Sequence, residues 1–256
     1  MKVIILAGGL GTRLTEETES KPKPMVLIDD KPILWHLMNI FAQQGLDEFV
    51  LALGYKGEVI KRWLGGNDNL SWNVKALETG LNTQTGGRIA QCMRSLPGER
   101  VIATYGDGLA NVSIRELLKF HESHGKLATV TAVRPPARFG YLETEDGRVT
   151  HFGEKNQADA GWINGGFFVL EPQVADLIHD DADAFELTAL PKLAEMGELM
   201  AYEHNGFWQP MDTLREKQDL AKYALQLPPP WLQGLIESKL QSTKGVRWSS
   251  RWSPAD

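Results

Sequence analysis

Near the start of the chain, Gly8, Gly9 and Gly11 come directly after an apolar run, and Arg13, Lys21 and Lys23 follow soon after. Glycine lets a backbone approach a ligand closely, and exposed backbone N–H groups suit phosphate oxygens. Arg13, Lys21 and Lys23 add the fixed positive charge that such oxygens require. The same residues could instead form a tight turn and a solvated surface offset by Glu16, Glu17 and Glu19. Two familiar phosphate loops are excluded. A P-loop ends in Gly-Lys-Ser/Thr, whereas Gly11-Thr12-Arg13 stands here. A dinucleotide fingerprint needs a third glycine where Leu14 stands, and no acidic residue ends the second strand.

Two aspartates suggest a cation. Asp107 sits between glycines in Tyr105-Gly106-Asp107-Gly108, directly after an apolar run, and Asp212 lies in the run 206–215. Magnesium commonly takes one or two protein carboxylates and completes its octahedron with water and phosphate oxygens. The plainer alternatives are a turn residue for Asp107 and a helix cap for Asp212. Further along, Glu154-Lys155 and Asn164-Gly165-Gly166 combine a lysine that could neutralise a phosphate with groups that could bond sugar hydroxyls. The six histidines show no metal-ligand spacing, and His121 and His124 are expected on a helix surface. The one cysteine, Cys92, is expected to be packed rather than catalytic.

The elements that position these residues alternate. Val3–Leu6, Phe49–Leu53, Val101–Thr104 and Ala128–Val133 are short apolar runs of the kind buried on both faces of a sheet. Helical segments are expected at 32–41, 59–64 and 86–95, and after Ser113, whose spacing to Glu116 matches a capping box. Residues 65–72 read as a loop. The pattern predicts an α/β fold with a parallel sheet covered by helices on both faces. In the second half, 141–144 and 149–152 form an expected hairpin. A strand is expected at 165–170, helices at 172–179 and 189–196, a strand at 199–202, and a last helix capped by Asp212.

With 256 residues the chain can bury one substantial core. A net charge of −6 argues against a general nucleic-acid binder. No apolar run reaches the ~20 residues of a membrane span, and the first apolar run stops too early for a signal peptide, so a cytoplasmic location is expected. Residues 227–256, with Pro228-Pro229-Pro230, Trp248 and Trp252, form a compositionally distinct tail beyond a catalytic unit of residues 1–226.

Leu6-Ala7-Gly8-Gly9-Leu10-Gly11-Thr12-Arg13-Leu14, Lys21-Pro22-Lys23-Pro24-Met25 and Lys31-Pro32-Ile33 together resemble the signature of the sugar-phosphate nucleotidylyltransferases. Glu16-Glu17-Thr18 and Gly206–Arg215 are more like the glucose-1-phosphate cytidylyltransferases than the thymidylyl enzymes. The resemblance implies a Rossmann-like mixed, mainly parallel sheet of the nucleotide-diphospho-sugar transferase type, with a small β-hairpin extension. It implies a nucleoside triphosphate, with CTP favoured, and a sugar 1-phosphate as substrates, Mg²⁺ as cofactor, and a homo-oligomer. It places Leu6, Ala7, Gly8, Gly9, Gly11, Thr12, Arg13, Lys23, Thr85, Gly86, Arg88, Gly106 and Asp107 at the nucleotide. Tyr105, Glu154, Lys155, Asn164, Gly165 and Trp208 fall at the sugar phosphate, and Asp107 and Asp212 at the metal, with Arg13 and Lys23 catalytic. Departures are a shorter segment between Gly57 and Thr85, Asn156 where the family usually has proline, and a loose match over 181–191. The nearest alternative is the same reaction with UTP or dTTP or with another sugar phosphate. From a different class, a non-catalytic nucleotide or sugar-nucleotide sensor is the rival reading, opposed by the presence of Arg13, Lys23, Asp107 and Asp212 together.

Overall fold

Val3, Ile4 and Ile5 are wholly buried, because the strand they form lies mid-sheet with helices above and below. The computed structural model describes residues 1–11, 14–67, 71–135, 140–154 and 161–235. In chain order its elements begin with β1 (Lys2–Leu6), the short α1 (Thr15–Thr18), the two-residue strands β2 (Leu27–Ile28) and β3 (Lys31–Pro32), and α2 (Ile33–Ala42). Next come β4 (Glu48–Leu53), α3 (Gly57–Gly65), β5 (Asn73–Glu78), α4 (Thr85–Arg94), β6 (Val101–Tyr105) and β7 (Gly108–Ala110). Then follow α5 (Ile114–His124), β8 (Ala128–Val133), β9 (Gly140–Glu145), β10 (Arg148–Glu154), β11 (Ile163–Asn164) and β12 (Phe168–Leu170). The elements α6 (Ala189–Glu195), β13 (Leu199–His204), β14 (Trp208–Pro210) and α7 (Leu214–Ala224) complete the described part.

The main sheet pairs β5, β4, β1 and β6 in parallel, and β13 with β8 in parallel at the other end. Between them runs the one reversed path among the described strands: β12 is antiparallel to both β6 and β8, and β11 extends the pairing along β8. Alternate side chains of each strand enter opposite faces. Val3, Ile5, Phe49, Leu51 and Ile102 pack with α2, α3, α5 and α7, while Ile4, Val50, Ala52 and Ala103 pack with α4 and α6. The parallel strands thus end together, presenting Leu6, Leu53 and Tyr105 at one edge, where open α/β sheets bind ligands.

Most expected elements are present, and the differences have physical causes. β5 was not anticipated: Asn73–Glu78 alternates polar and apolar residues because it is an edge strand that is only partly buried. The hairpin forms as β9 and β10 around Asp146-Gly147, both at positive φ (47° and 80°), as a tight two-residue turn demands. The strand expected at 165–170 is broken at Gly166 and Phe167, which take φ of 78° and 46°. The segment after Pro172 is a 3₁₀ helix rather than an α-helix. His121 is not on the surface. It is 1% exposed, with Nδ1 2.8 Å from Thr129 Oγ1 and Nε2 3.2 Å from Glu171, and burial lowers its pKa.

The final helix is capped by Thr213, not Asp212. Thr213 Oγ1 accepts from Glu216 N, and the Glu216 carboxylate accepts from the backbone N–H of both Asp212 and Thr213. This capping box leaves the Asp212 carboxylate available elsewhere. Beyond α7, the start of the tail packs on the body: Trp231 is buried against His36 and Phe207, with ring centroids at 5.3 and 6.1 Å.

Cys92, on the buried face of α4, has no exposed surface, and burial pushes its thiol up to about 12. A thiol raised that far stays protonated at pH 8 and is a poor nucleophile. The folded protein should therefore resist alkylation by iodoacetamide at pH 8 and take up one equivalent after denaturation. Stoichiometric labelling of the folded protein would contradict this packing.

Candidate active site

Two carboxylates far apart in sequence converge on one ammonium. Lys23 Nζ lies 2.6 Å from Asp107 Oδ2 and 2.6 Å from Asp212 Oδ1. Local structure explains the convergence. Lys23 opens a 3₁₀ turn, Lys23–Met25, beneath the glycine loop, with its side chain 9% exposed. Asp107 occupies the turn between β6 and β7. β7 pairs antiparallel with β14, and Met211 N donates to Asp107 O at 2.8 Å, so this short ladder carries Asp212 to Asp107. Burial favours the neutral amine and is the largest influence on Lys23, but Asp107 and Asp212 together outweigh it and raise the pKa. Lys23 is thus a cation throughout the neutral range.

Lys23 and Asp107 line a cavity of about 420 Å³ at the carboxyl edge of the sheet, with Asp212 bonded to Lys23 beside it. Of the residues expected at the nucleotide, Leu6, Gly9, Gly11, Lys23, Thr85, Arg88, Gly106 and Asp107 line it, and so does Tyr105 from the sugar-phosphate set. Pro24, Thr83, Gln84 and Glu186 line it as well. Thr12, Arg13 and Lys155 lie outside the described residues, and Glu154 ends the backbone of β10.

Ala7, Gly8 and Gly86 stand behind the wall. Ala7 is wholly buried. A methyl at Gly8 would fall 2.3 Å from Arg88 Nη1, so the loop is glycine there because an arginine fills the space behind it. That arginine is 4% exposed and donates to Leu53 O (3.0 Å), Thr79 Oγ1 (2.6 Å), Gly8 O (3.1 Å) and Leu81 O (3.3 Å). It ties the glycine loop to the ends of β4 and β5. Gly9 has open space where its side chain would be, and Gly11 takes the left-handed φ of 65°.

Gly86 and Gly87 give close packing room for a distant segment. Residues 181–186 lie directly against the first turn of α4. Gln84 N donates to Asp181 O (2.7 Å) and Gly87 N to Asp183 O (3.2 Å), so two N–H groups at that helix start are already bonded within the chain. The seated segment brings Glu186 to the cavity, where Thr85 and Tyr105 each donate a hydroxyl hydrogen to it at 2.6 Å. Burial, then the Glu186 charge, pushes the Tyr105 phenol up from its usual range. Asn164 Nδ2 donates to the same phenol oxygen at 2.9 Å, and Trp208 Nε1 donates to Gly165 O at 3.0 Å. Asn164 therefore adjoins Tyr105 and Trp208 adjoins Gly165, and none of the three lines the cavity. Glu186 carried no local motif that could have singled it out from the acidic stretch around it.

A buried cation beside a glycine loop, flanked by two carboxylates at the ligand edge of a mainly parallel sheet, suits the handling of phosphoryl groups. The family profile described as Nucleotidyl transferase matches residues 2–216, and the chain belongs to that family. It is a nucleotidyltransferase of the nucleotide-diphospho-sugar transferase fold.

Its sequence is 46% identical over 253 residues to the glucose-1-phosphate cytidylyltransferase of Salmonella typhi, covering 90% of this chain and 98% of that protein. It is 31% identical to the mannose-1-phosphate guanyltransferase beta-A of Xenopus laevis, over 91% of this chain and 68% of that one. Among solved structures, HddC from Yersinia pseudotuberculosis complexed with GMP-PN superposes with a TM-score of 0.70 at 26% identity, over 86% of this chain and 98% of HddC.

A methyl at Gly86 would fall 2.6 Å from Asp183 O and 3.1 Å from Phe185 N. Such overpacking costs about 1–3 kcal/mol, so Gly86→Ala should lower the thermal midpoint by several degrees. Gly9→Ala, whose methyl meets nothing within 4 Å, should leave the midpoint unchanged. Equal midpoints for the two variants in calorimetry would contradict the seating of 181–186 on α4.

Proposed function

We propose that the chain transfers a cytidylyl group from CTP to α-D-glucose 1-phosphate, giving CDP-glucose and pyrophosphate. The observation that carries the chemistry is the Lys23 ammonium held 2.6 Å from both Asp107 and Asp212 at the cavity. The base and the sugar follow the Salmonella relative, which matches nearly the whole chain.

A sugar 1-phosphate is already largely a dianion at neutral pH, since the second pKa of a phosphate monoester is ~6. The nucleophile therefore needs no general base. The difficulty is to bring two anions together and to stabilise charge on the departing pyrophosphate. Attack is in line on the α-phosphorus. Lys23 neutralises the α-phosphate region, Arg13 supports the β- and γ-phosphates, and the Gly9–Gly11 backbone approaches them closely. Glu154, Lys155, Asn164, Gly165 and Trp208 serve the sugar phosphate, with Asn164 bonded to Tyr105.

The donor set fits a divalent cation, because its two carboxylates already converge on one positive charge. Asp107 and Asp212 would hold Mg²⁺, which when bound supplies charge neutralisation at phosphoryl oxygens.

Pyrophosphate release, measured over a grid of triphosphates and sugar 1-phosphates with Mg²⁺, tests the assignment. CTP with glucose 1-phosphate should be fastest. Faster turnover with UTP or dTTP would overturn the cytidylyl assignment, and nucleotide binding without any release would favour the sensor. Lys23→Met and Arg13→Ala should each lower turnover by ~10²-fold or more with the circular dichroism spectrum retained; near-normal turnover would refute those roles. On the same reading the protein is cytoplasmic and assembles with copies of itself, and a monomer mass by light scattering would overturn the assembly. Among the described residues, no helix is long and apolar enough to cross a membrane.

A further inference from the structure

Glu186 places a negative charge on the wall of a cavity suited to anions. Such a carboxylate is unfavourable there unless its oxygens are engaged. Both are. Oε1 accepts from the Tyr105 hydroxyl and Oε2 from the Thr85 hydroxyl, each at 2.6 Å, the length of a charge-assisted bond. The two donors come from different parts of the wall. Tyr105 ends β6, two residues before Asp107, and Thr85 is the first residue of α4.

The direction of every hydrogen in this chain of bonds is determined. Phe185 N donates to Thr85 Oγ1 at 2.9 Å, so the threonine hydroxyl accepts from the backbone and spends its own hydrogen on Glu186. Asn164 Nδ2 donates to the Tyr105 oxygen, so the phenol hydrogen is likewise spent on Glu186. A continuous path therefore runs from Asn164 through Tyr105 and Glu186 to Thr85. It joins the side of the cavity assigned above to the sugar phosphate with the side assigned to the nucleotide.

We propose that Glu186 is a positioning residue that couples the two substrate sites: nucleotide contact at Thr85 holds the carboxylate, which holds Tyr105 and Asn164 ready for the sugar 1-phosphate. The coupling rests on the proposed function and on the placing of Thr85 at the nucleotide that the family resemblance implies. It follows that each substrate tightens the other's binding by the same factor.

The test is calorimetric titration of glucose 1-phosphate into the 256-residue protein with Mg²⁺, with and without a non-hydrolysable CTP analogue. In the wild type the analogue should tighten sugar-phosphate binding at least fivefold. In Glu186→Ala that ratio should fall close to one. Glu186→Gln, whose amide retains one acceptor oxygen, should give an intermediate ratio. Tyr105→Phe, which cuts the path at another point, should lower the ratio as Glu186→Ala does, and the double variant should be no lower. A purely structural role for Glu186 would weaken both ligands and leave the ratio intact, which overturns the proposal. A wild-type ratio of one also overturns it while leaving the substrate assignment standing. Failure of the wild type to bind glucose 1-phosphate under either condition overturns the substrate assignment, and the coupling with it. If Glu186→Ala fails to fold, an unchanged ratio in Tyr105→Phe is sufficient to reject the coupling.

Discussion

A nearly buried ammonium with two carboxylates is the constraint on which the remaining architecture depends. Taking a lysine out of water is costly, and the cost is offset only when opposite charges meet it at short range. Lys23 meets that condition only if the turn after β6 and the segment before α7 arrive together. The pairing of β7 with β14 brings them together, and the hydrogen bond from Met211 to Asp107 completes the join. The capping of α7 serves the same end. Because Thr213 and Glu216 satisfy the helix start between themselves, Asp212 can turn toward the lysine.

Behind that group stands a second buried cation with a different task. Arg88 meets no carboxylate in its set of close bonds; its guanidinium donates to three backbone carbonyls and one hydroxyl. An arginine used this way acts as a strut, and its planar fork suits several acceptors at once. The glycine loop is thereby held from behind at Gly8.

The sequence foretold features that depend on local pattern. Apolar runs mark β1, β4, β6 and β8 because strands buried on both faces tolerate little else. Lys23, Asp107 and Asp212 stood out through their motifs. Features set by distant packing were not legible. β5 escaped notice because an edge strand keeps polar residues, and His121 because its helix spacing says nothing about the Thr129 and Glu171 side chains that enclose it. Nothing local to Gly86-Gly87 points to their neighbour, a segment nearly a hundred residues away in the chain. Glu186 was invisible for the same reason: only tertiary contact separates it from the acidic residues around it.

The reversed strand has a consequence beyond sheet topology. A strand that runs against its neighbours begins where they finish, so β12 delivers the residues just before it, Asn164 to Phe167, to the edge where β1 and β6 end. On the proposed function, the segment ahead of β12 that serves the acceptor shares one rim with the glycine loop but belongs to a different stretch of chain. Insertions or replacements ahead of β12 can then reshape the proposed acceptor side while the register of β6 against β1 stays intact. On that reading, part of acceptor choice can diverge by changes within one stretch, and relatives are named for glucose and for mannose phosphates.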